Sequence, residues 1–506
     1  MTVVIVGAGP VGLAVACGLR QHGIGVRVVD RAPGPSPTSR ANIVHARGAA
    51  VLDRLGALGD LPARSVTAMK ITMHLEGRPV TTVRFGDAPG AARAALVVSQ
   101  AEVESRLRAR LAELGGRIEW ETELVGLSQE PDGVVLSLGG GETVRAAWVI
   151  GCDGAHSAVR DLSGIAFPGA PVAEQFLLAD VHADWAADRG GTAGWYSRQG
   201  LLFAMPMRDP GGQDDLWRLM ADVSLAEPRP ADSAAVLDRF RELLPERAGR
   251  TDVRIRDAVW TSVFRIHRRL AEDYRRGRVL LAGDAAHIHS PMGGQGMNTG
   301  IGDAENLAWK LALVIDGHAH DALLNTYRAE RRPLAVEVLR GSTMATRIQV
   351  GKGPIGRFLR DRVMIPLLNL PWVQARMTAA AAQLWVSYRR GPLGGGPRVL
   401  HRRQVRSGDR VPDRPCRYED GQVTRLYAEL RGRWVLLADS TDAALLGPTA
   451  RKWLGDHVAV LHPSPGETGS QVQLVRPDGH LGWQGPADPD LLGRWLTGAM
   501  CHGRTR

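Results

Sequence analysis

Short apolar runs recur in the first two-thirds of the chain, each followed by a glycine or an acidic residue. These runs are Val3–Val6, Val26–Val29 (interrupted by Arg27), Ala147–Ile150 and Val279–Ala282. Runs of this length predict buried strands. Helical spacing without internal glycine or proline predicts helices over 101–114 and 306–314. The alternation of such strands with helices predicts an α/β fold.

The hydrophobic pattern changes twice further along the chain. Residues 170–275 contain alternating or continuous apolar runs that predict a β-sheet domain inserted into the first one. A helical segment is predicted at 341–390, followed by the linker "GPLGGGP", residues 391–397. The predicted units are 1–169 with 276–340, then 170–275, then 341–390 and finally 398–506.

Composition and charge exclude several classes of function. The chain has 506 residues and a formal net charge of +10, but its basic residues, all but four of them arginine, are spread along the chain. We therefore expect no nucleic-acid partner. Four cysteines without a CxxC pair predict no metal site and a reducing, cytoplasmic location. No signal peptide is recognised, and no run approaches the roughly 20 apolar residues that span a membrane.

The N-terminal run leads into a dinucleotide-binding pattern, Gly7-x-Gly9-x-x-Gly12. Gly7 permits the tight turn, Gly9 lets the backbone approach a pyrophosphate, and Gly12 allows close packing of helix on strand. The next strand ends in Asp30, at the spacing expected of a ribose-binding carboxylate. Strand, glycines, helix, strand and acid in this order predict a dinucleotide site.

Two further motifs follow predicted strands. "GCDGAHSAVR", residues 151–160, contains Asp153-Gly154, which by itself is an ordinary turn signal. "GDAAHIHSPMGGQGMNTG", residues 283–300, places Asp284 at the end of a strand and a glycine-rich loop before a helix. Such a loop favours an anionic or electron-rich ligand, from which Asp284 accepts a hydroxyl hydrogen bond.

Taken together, the three motifs resemble those of the single-component, class A FAD-dependent aromatic monooxygenases, in the phenol-hydroxylase-like branch that modifies polyketides in actinomycetes. The resemblance implies a Rossmann-like FAD-binding domain of the GR2 type, an inserted substrate-binding sheet domain, a helical segment and a C-terminal thioredoxin-like domain. It also implies FAD, NADPH or NADH as co-substrate, and hydroxylation of a small aromatic molecule by dioxygen through a C4a-hydroperoxyflavin. Baeyer–Villiger or oxidative ring modification, and a non-oxygenating flavoprotein, remain as alternatives.

The resemblance also assigns residues. Asp284 contacts the ribityl chain of FAD, while backbone groups around Gly296, Met297 and Asn298 meet the flavin ring. The remaining expected cofactor contacts are Gly7, Gly9, Val11, Gly12, Asp30, Arg31, Arg40, Gln100, Leu124, Asp153 and Gly154. Arg47 and Pro291 are expected beside the reacting flavin.

Substrate contacts are expected from aromatic and sulfur side chains of the inserted sheet, although each of them also fits an ordinary sheet core. These candidates are Trp195, Tyr196, Phe203, Met205, Trp217 and Phe264. The thioredoxin-like domain, with only Cys416 and Cys501, is expected to be structural or to support a homodimer.

Overall fold

The computed structural model describes residues 3–36, 41–66, 70–84, 90–208, 212–290, 293–350, 356, 358–394, 405–464 and 471–500. Its first sheet has six strands, in the spatial order Arg275–Arg276, Val279–Leu281, Trp148–Gly151, Val3–Val6, Val26–Val29 and Ile118–Glu119. All neighbours are parallel except the first pair. Helices cover the sheet, so its central strands are continuous apolar runs.

Three longer helices of this first domain position the motifs. They are Pro10–Gln21, Gln100–Glu113 and Gln295–Ile315, and we call the last one the motif helix. A three-stranded antiparallel sheet (Leu124–Glu130, Gly133–Leu138, Thr143–Ala146) and the two-stranded pair Ile43–Val44 and Leu96–Val97 complete the β-structure of the domain. Its shorter helices are Ala46–Arg54, Leu61–Arg64, Ala158–Leu162, Gly283–Ala285 and Asp321–Leu324.

The second sheet has eight strands. Their order is His287–Ile288, Arg254–Leu270, Gly169–Asp184, Leu216–Val223, Gly200–Pro206, Thr192–Ser197, Lys70–Leu75 and Arg78–Arg84. The prediction that residues 1–169 lie wholly in the first domain was wrong, because 70–84 form two strands of this sheet. Strand Lys70–Leu75 pairs in parallel with Thr192–Ser197, a long-range contact that local sequence patterns do not encode.

Helices cover both faces of the second sheet. Helix Ser233–Ala248 packs on one face. The other face is covered by a helical segment that consists of Arg360–Met364, Ile365–Leu367 and Pro371–Ala381. The long helix Asn325–Val350 connects the first domain to this segment and crosses the predicted boundary at residue 340. None of the described helices is both long and apolar enough to cross a lipid bilayer.

The C-terminal domain is built on a third, six-stranded sheet. Its order is Val423–Arg425, Pro415–Arg417, Val458–Pro463, Trp434–Leu437, Val472–Val475 and Leu481–Gly485. Only the two central strands, Trp434–Leu437 and Val458–Pro463, are parallel. The accompanying helices are Leu426–Glu429, Ser440–Leu454, Gly455–His457 and Pro489–Met500. The C-terminal domain is thus a mixed sheet accompanied by helices, and its thioredoxin-like character stays a prediction.

A buried ionic cluster joins the C-terminal domain to the first domain. Glu330 accepts hydrogen bonds from Lys310 at 2.8 Å and from Arg476 at 2.7 and 2.8 Å. All three side chains are fully buried. Trp309, next to Lys310, packs edge-on against Trp434 at 5.2 Å between ring centroids. The contact between the two domains is therefore both apolar and charged.

Substituting Glu330→Gln is expected to lower the free energy of unfolding by about 3–5 kcal/mol near neutral pH, because two buried cations lose their carboxylate. Burial raises the pKa of Glu330, but Arg476 and Lys310 outweigh it and hold the pKa at about 2. The carboxylate therefore stabilises the fold above about pH 4.5, and this contribution is lost as the pH falls towards 2.

Urea unfolding at a series of pH values tests this expectation. The difference between the wild type and Glu330→Gln should narrow below about pH 4.5. Glu337→Gln, on an exposed position of the same helix, should unfold like the wild type. If the difference in unfolding free energy between the wild type and Glu330→Gln stayed constant with pH, the assigned ion pairs of Glu330 would be contradicted.

Candidate functional site

Residues that are far apart in the sequence meet at one edge of the first sheet. The four adjacent parallel strands Val279–Leu281, Trp148–Gly151, Val3–Val6 and Val26–Val29 all end at this edge. Each is followed by a predicted motif residue, namely Asp284, Asp153, Gly7 and Asp30. Ligands of open α/β sheets bind at the carboxyl ends of their strands. We call this edge the motif edge.

The glycines of the first motif have distinct packing. Gly7 has φ +103°, and a Cβ on Gly12 would lie 1.9 Å from the carbonyl oxygen of Gly7. A Cβ on Gly9, in contrast, would meet no atom within 4 Å. Gly7 and Gly12 thus serve the turn and the packing of helix on strand, whereas Gly9 leaves open space at the motif edge.

The carboxylate of Asp30 accepts hydrogen bonds from the backbone of the turn that carries this motif. Its Oδ2 accepts from the backbone N–H of Ala8 at 2.7 Å, and its Oδ1 accepts from that of Ala32 at 2.8 Å. The next residue, Arg31, is exposed and lies 3.8 Å from Glu123. Arg40 lies outside the described residues. Asp30 therefore orders the turn, a role that its spacing alone did not reveal.

Both carboxylate oxygens of Asp153 accept hydrogen bonds from residues that follow it closely in the chain. Ser157 Oγ donates to Oδ1 at 2.5 Å, and the backbone N–H of Val159 donates to Oδ2 at 3.1 Å. Burial raises the pKa of Asp153, although these hydrogen bonds oppose the shift. Gly154, with φ +78°, has no atom within 4 Å of the position of a Cβ. The side chain of Asp153 thus shapes the turn, while Gly154 leaves the motif edge open.

Val11 lies between two glycines of the last motif. A Cβ on Gly283 would lie 2.8 Å from the Val11 side chain, and one on Gly300 would lie 2.4 Å from it. Gly283, with φ +63°, ends the strand so that Asp284 follows with an exposed side chain. The side chain of Val11 thus packs against both glycines, and its expected contact with the cofactor stays a prediction.

The motif helix begins earlier than predicted. It starts at Gln295 after Gly294 in a left-handed conformation, rather than near residue 306. Gly296, Met297 and Asn298 therefore form its first turns instead of a loop. Asn298 donates to the carbonyls of Ile43 at 3.0 Å and Gly294 at 2.7 Å, so its side chain is engaged within the protein. Glycine lowers helix propensity, but tertiary packing overrides it here.

Two other predicted residues, Gln100 and Leu124, have local roles. Gln100 opens helix Gln100–Glu113 after Ser99, which caps it by accepting from the N–H of Glu102 at 3.3 Å. The side chain of Gln100 donates to Glu104 at 2.8 Å. Leu124 is buried in the main apolar core. Pro291 lies outside the described residues.

Arg47 is buried in the first turn of helix Ala46–Arg54. Its guanidinium lies 3.4 Å from the hydroxyl of Tyr388 and 3.5 Å from Nε2 of His480. Both partners come from distant parts of the chain. Arg47 stays a predicted cofactor-site residue, but the side chains that hold it were not predicted.

Asp303 on the motif helix was missed by the sequence analysis. It accepts from the N–H of Gly283 at 3.2 Å, from His287 Nε2 at 2.7 Å and from Arg331 at 2.7 Å. Burial raises the pKa of Asp303, but Arg331 and His287 outweigh it, so the net pKa lies below its usual value. The available signal was an acidic residue within an apolar helix.

The predicted substrate contacts lie on two faces of the second sheet. Trp195 and Trp217 pack against Trp185, with ring centroids 5.9 and 4.7 Å away, on the face covered by helix Ser233–Ala248. Trp195 and Trp217 therefore lie on the face opposite to the other candidates, since successive strand residues face opposite sides, and their contact with the substrate stays a prediction.

The other candidates lie on the opposite face. Tyr196 and Phe203 pack against the helical segment, as does Phe264. Met205 lies two residues after Phe203 on the same strand and contacts Asn42 of the first domain, with 2.7 Å between Sδ and Nδ2. This face is thus turned towards the first domain, and we call it the pocket face.

Comparisons with known proteins cover nearly the whole chain. A model of the FAD binding domain family matches residues 1–342, and a model of the aromatic-ring hydroxylase C-terminal domain matches 404–500. The chain is 34% identical to 6-methylpretetramide 4-monooxygenase of Streptomyces rimosus, over 96% of this chain and 90% of that one. It is also 32% identical to dialkyldecalin synthase of Streptomyces rugosporus, over 96% of each chain.

A solved structure is similar over the same extent. The OxyS anhydrotetracycline hydroxylase from Streptomyces rimosus superposes with a TM-score of 0.80. The two sequences are 33% identical, and the match covers 99% of each chain.

The placement of Trp217 on the face away from the pocket can be tested by substitution. Trp217→Ala is expected to lower the free energy of unfolding by about 3–5 kcal/mol, because a fully buried indole leaves a cavity. The folded variant should bind an aromatic ligand like the wild type. Trp372→Ala, which removes a largely exposed indole, serves as the control in urea unfolding and ligand titration. Weakened ligand binding at unchanged stability would place Trp217 in the pocket.

Proposed function

Because the chain belongs to the FAD-dependent aromatic-ring monooxygenases, we propose that it hydroxylates a polycyclic phenolic compound of the polyketide type with dioxygen and NADPH or NADH. The predicted family, the α/β fold with its FAD-binding domain, and FAD as cofactor are confirmed. The observation that carries the proposed substrate class is the similarity to polyketide-modifying hydroxylases over nearly the whole chain.

The residues at the motif edge fit FAD. Gly9 and Gly154 leave open space at the ends of neighbouring strands, where a side chain would block a ligand. The N-terminus of the motif helix contributes partial positive charge, which favours an anionic group. In this proposal Gly9 and Asp30 hold the ADP portion, Asp284 accepts from a hydroxyl of the ribityl chain, and the backbone of Met297 and Asn298 meets the flavin ring.

When bound, FAD supplies the redox chemistry, taking a hydride from the nicotinamide and activating dioxygen. The pocket face provides an apolar environment in which Phe203, Met220 and Phe264 exclude water. The Tyr196 hydroxyl is fully buried there and has no hydrogen-bond partner among the described residues. We assign it to bind and orient an oxygen of the substrate.

A second candidate function is a flavin-containing synthase that forms carbon–carbon bonds without oxygenation. The similarity to dialkyldecalin synthase favours it. The two functions differ in their co-substrates, since only the hydroxylase consumes NAD(P)H and dioxygen in proportion to product.

The proposed hydroxylation is expected to transfer one oxygen atom from dioxygen to the product. Turnover of aromatic polyketide substrates under ¹⁸O₂ should give product heavier by one labelled atom, with NAD(P)H consumed in equal amount. Parallel reactions in H₂¹⁸O with ordinary dioxygen control for exchange. Product formed without NAD(P)H or without label would favour the synthase.

Substituting Asp284→Ala should raise the dissociation constant of FAD by roughly 10- to 150-fold, the loss expected for a hydrogen bond to a charged group. Titration of the apoprotein, followed by flavin fluorescence, measures this constant. Asp420→Ala, in an exposed turn of the C-terminal domain, is the matched control and should bind FAD like the wild type. Wild-type affinity in the Asp284 variant would remove this residue from the cofactor site.

A further inference from the structure

The C-terminal domain extends a tight hairpin, Arg476–His480, into the first domain, and we call it the interface hairpin. Arg476, Asp478 and His480 are each at most 2% exposed. Arg476 binds both carboxylate oxygens of Glu330, and Asn306 of the motif helix donates to Asp478 at 3.0 Å. The interface hairpin thus reaches the polar side of the helix that carries the last motif.

The position of the proton on His480 follows from its partners. An arginine side chain can only donate, so Nε2 of His480 accepts from Arg47. Nδ1 therefore carries the proton and donates to the Asp478 carboxylate at 3.2 Å. Burial lowers the pKa of His480 to about 4, so the ring is neutral near pH 7. Asp478 thereby selects the form of His480 that accepts from Arg47.

Arg47 differs from the other buried cations of this region. Arg476 and Lys310 pair with Glu330, Arg331 pairs with Asp303, and Arg54 pairs with Glu305. Arg47, in contrast, has the hydroxyl of Tyr388 and the ring of His480 as its side-chain partners and no carboxylate among the described residues. A buried cation without a counter-ion raises the electrostatic potential around it and favours an anion nearby.

The backbone beside Arg47 is bonded to the last motif. The N–H of His45 donates to Asn298 Oδ1 at 2.8 Å, and the ring of His45 lies 2.6 Å from the carbonyl oxygen of Gly293. The first turn of helix Ala46–Arg54 is therefore held against the first turn of the motif helix. Arg47 is thus two residues from His45, which is bonded directly to the segment that the proposed function assigns to the flavin ring.

A second connection runs from the same hairpin to the motif edge. The ring of His480 packs on that of Tyr388 at 4.3 Å between centroids. The Tyr388 hydroxyl accepts from Arg331 at 2.9 Å, and Arg331 binds Asp303. Asp303 in turn accepts from the N–H of Gly283, next to Asp284. One ring contact and three hydrogen bonds thus connect the interface hairpin to Gly283, the residue before Asp284.

We propose that the interface hairpin is a positioning element of the FAD site: Asp478 orients His480, and His480 with Tyr388 holds Arg47 so that its positive charge favours the bound, reduced cofactor. The inference rests on the proposed function in that it needs FAD at the motif edge. Joining the two domains does not require an unpaired cation, because Arg476, Lys310 and Glu330 already bridge them. His480 acts through Arg47 and is a positioning residue.

The test measures the bound flavin itself in the purified holoprotein. His480→Leu removes the acceptor for Arg47 and should raise the FAD dissociation constant about fivefold to tenfold, in line with the loss of one buried hydrogen bond. It should also shift the flavin midpoint potential to more negative values, since the reduced cofactor carries the greater negative charge. His480→Gln, which keeps an acceptor oxygen near the position of Nε2, should restore both values towards those of the wild type.

His462→Leu is the matched control. This histidine lies in the same domain, and among the described residues its ring bonds the carbonyl of Ala438 alone, so the potential and the FAD affinity should not change. Thermal unfolding of each holoprotein separates loss of folding from loss of positioning. If His480→Leu does not fold, Tyr388→Phe, which removes only the hydroxyl, should produce the same shift of potential.

Wild-type potential and FAD affinity in folded His480→Leu, or in Tyr388→Phe if the former does not fold, would overturn the proposal and leave the hairpin as an interdomain contact. A different result would refute the proposed hydroxylase function. Product without label from ¹⁸O₂, together with a shifted potential in His480→Leu, would refute hydroxylation and leave the positioning role intact.

Discussion

The close approach of the motif helix to the N-terminal helix is the constraint on which the rest of the structure depends. Val11 on helix Pro10–Gln21 packs against Gly283 and Gly300, where any side chain would collide with it. The same two helices meet again where Gly18 faces Ala308, with 2.7 Å between that side chain and the position of a Cβ. Glycine at these contacts lets the two helices approach closely. The segments around Val11 and Asp284 are thereby brought to the same edge of the sheet.

This close packing has an electrostatic consequence. The motif helix runs through the protein interior, so its polar residues are removed from water and need partners. Asp303 and Glu305 are paired with arginines, and Asn306 donates to Asp478. Asp478 comes from the C-terminal domain, so that domain contributes to the surroundings of the motif helix. This contribution does not depend on a CxxC pair, because it is made by the interface hairpin.

The two faces of the second sheet differ, because successive side chains along each strand point to opposite sides. One face, with Trp195 and Trp217, is packed against a helix and forms an apolar core. The pocket face, with Tyr196 and Phe203, is closed by the helical segment, whose residues Met364 and Met377 are only partly buried. Flexible methionine side chains adapt to ligands of different shape. Under the proposed function, variation of the substrate is thus compatible with an unchanged sheet.

The sequence by itself determined the local elements and the type of ligand. The strands Val3–Val6 and Val26–Val29, the helix cap at Ser99 and the glycine pattern from Gly7 depend on neighbours a few residues away, so they can be predicted from the chain. The family and FAD followed from motifs of the same local kind.

Only the tertiary structure decided the long-range arrangement. It assigned strands Lys70–Leu75 and Arg78–Arg84 to the second sheet and started the motif helix at Gln295. It also placed Trp217 away from the pocket face and His480 against Arg47. These features depend on contacts between residues that are distant in the chain, up to 433 positions apart for Arg47 and His480, where burial and pairing of charges override local propensity. Local sequence patterns do not predict such contacts. The side chains that hold Arg47 were therefore found only in the folded protein.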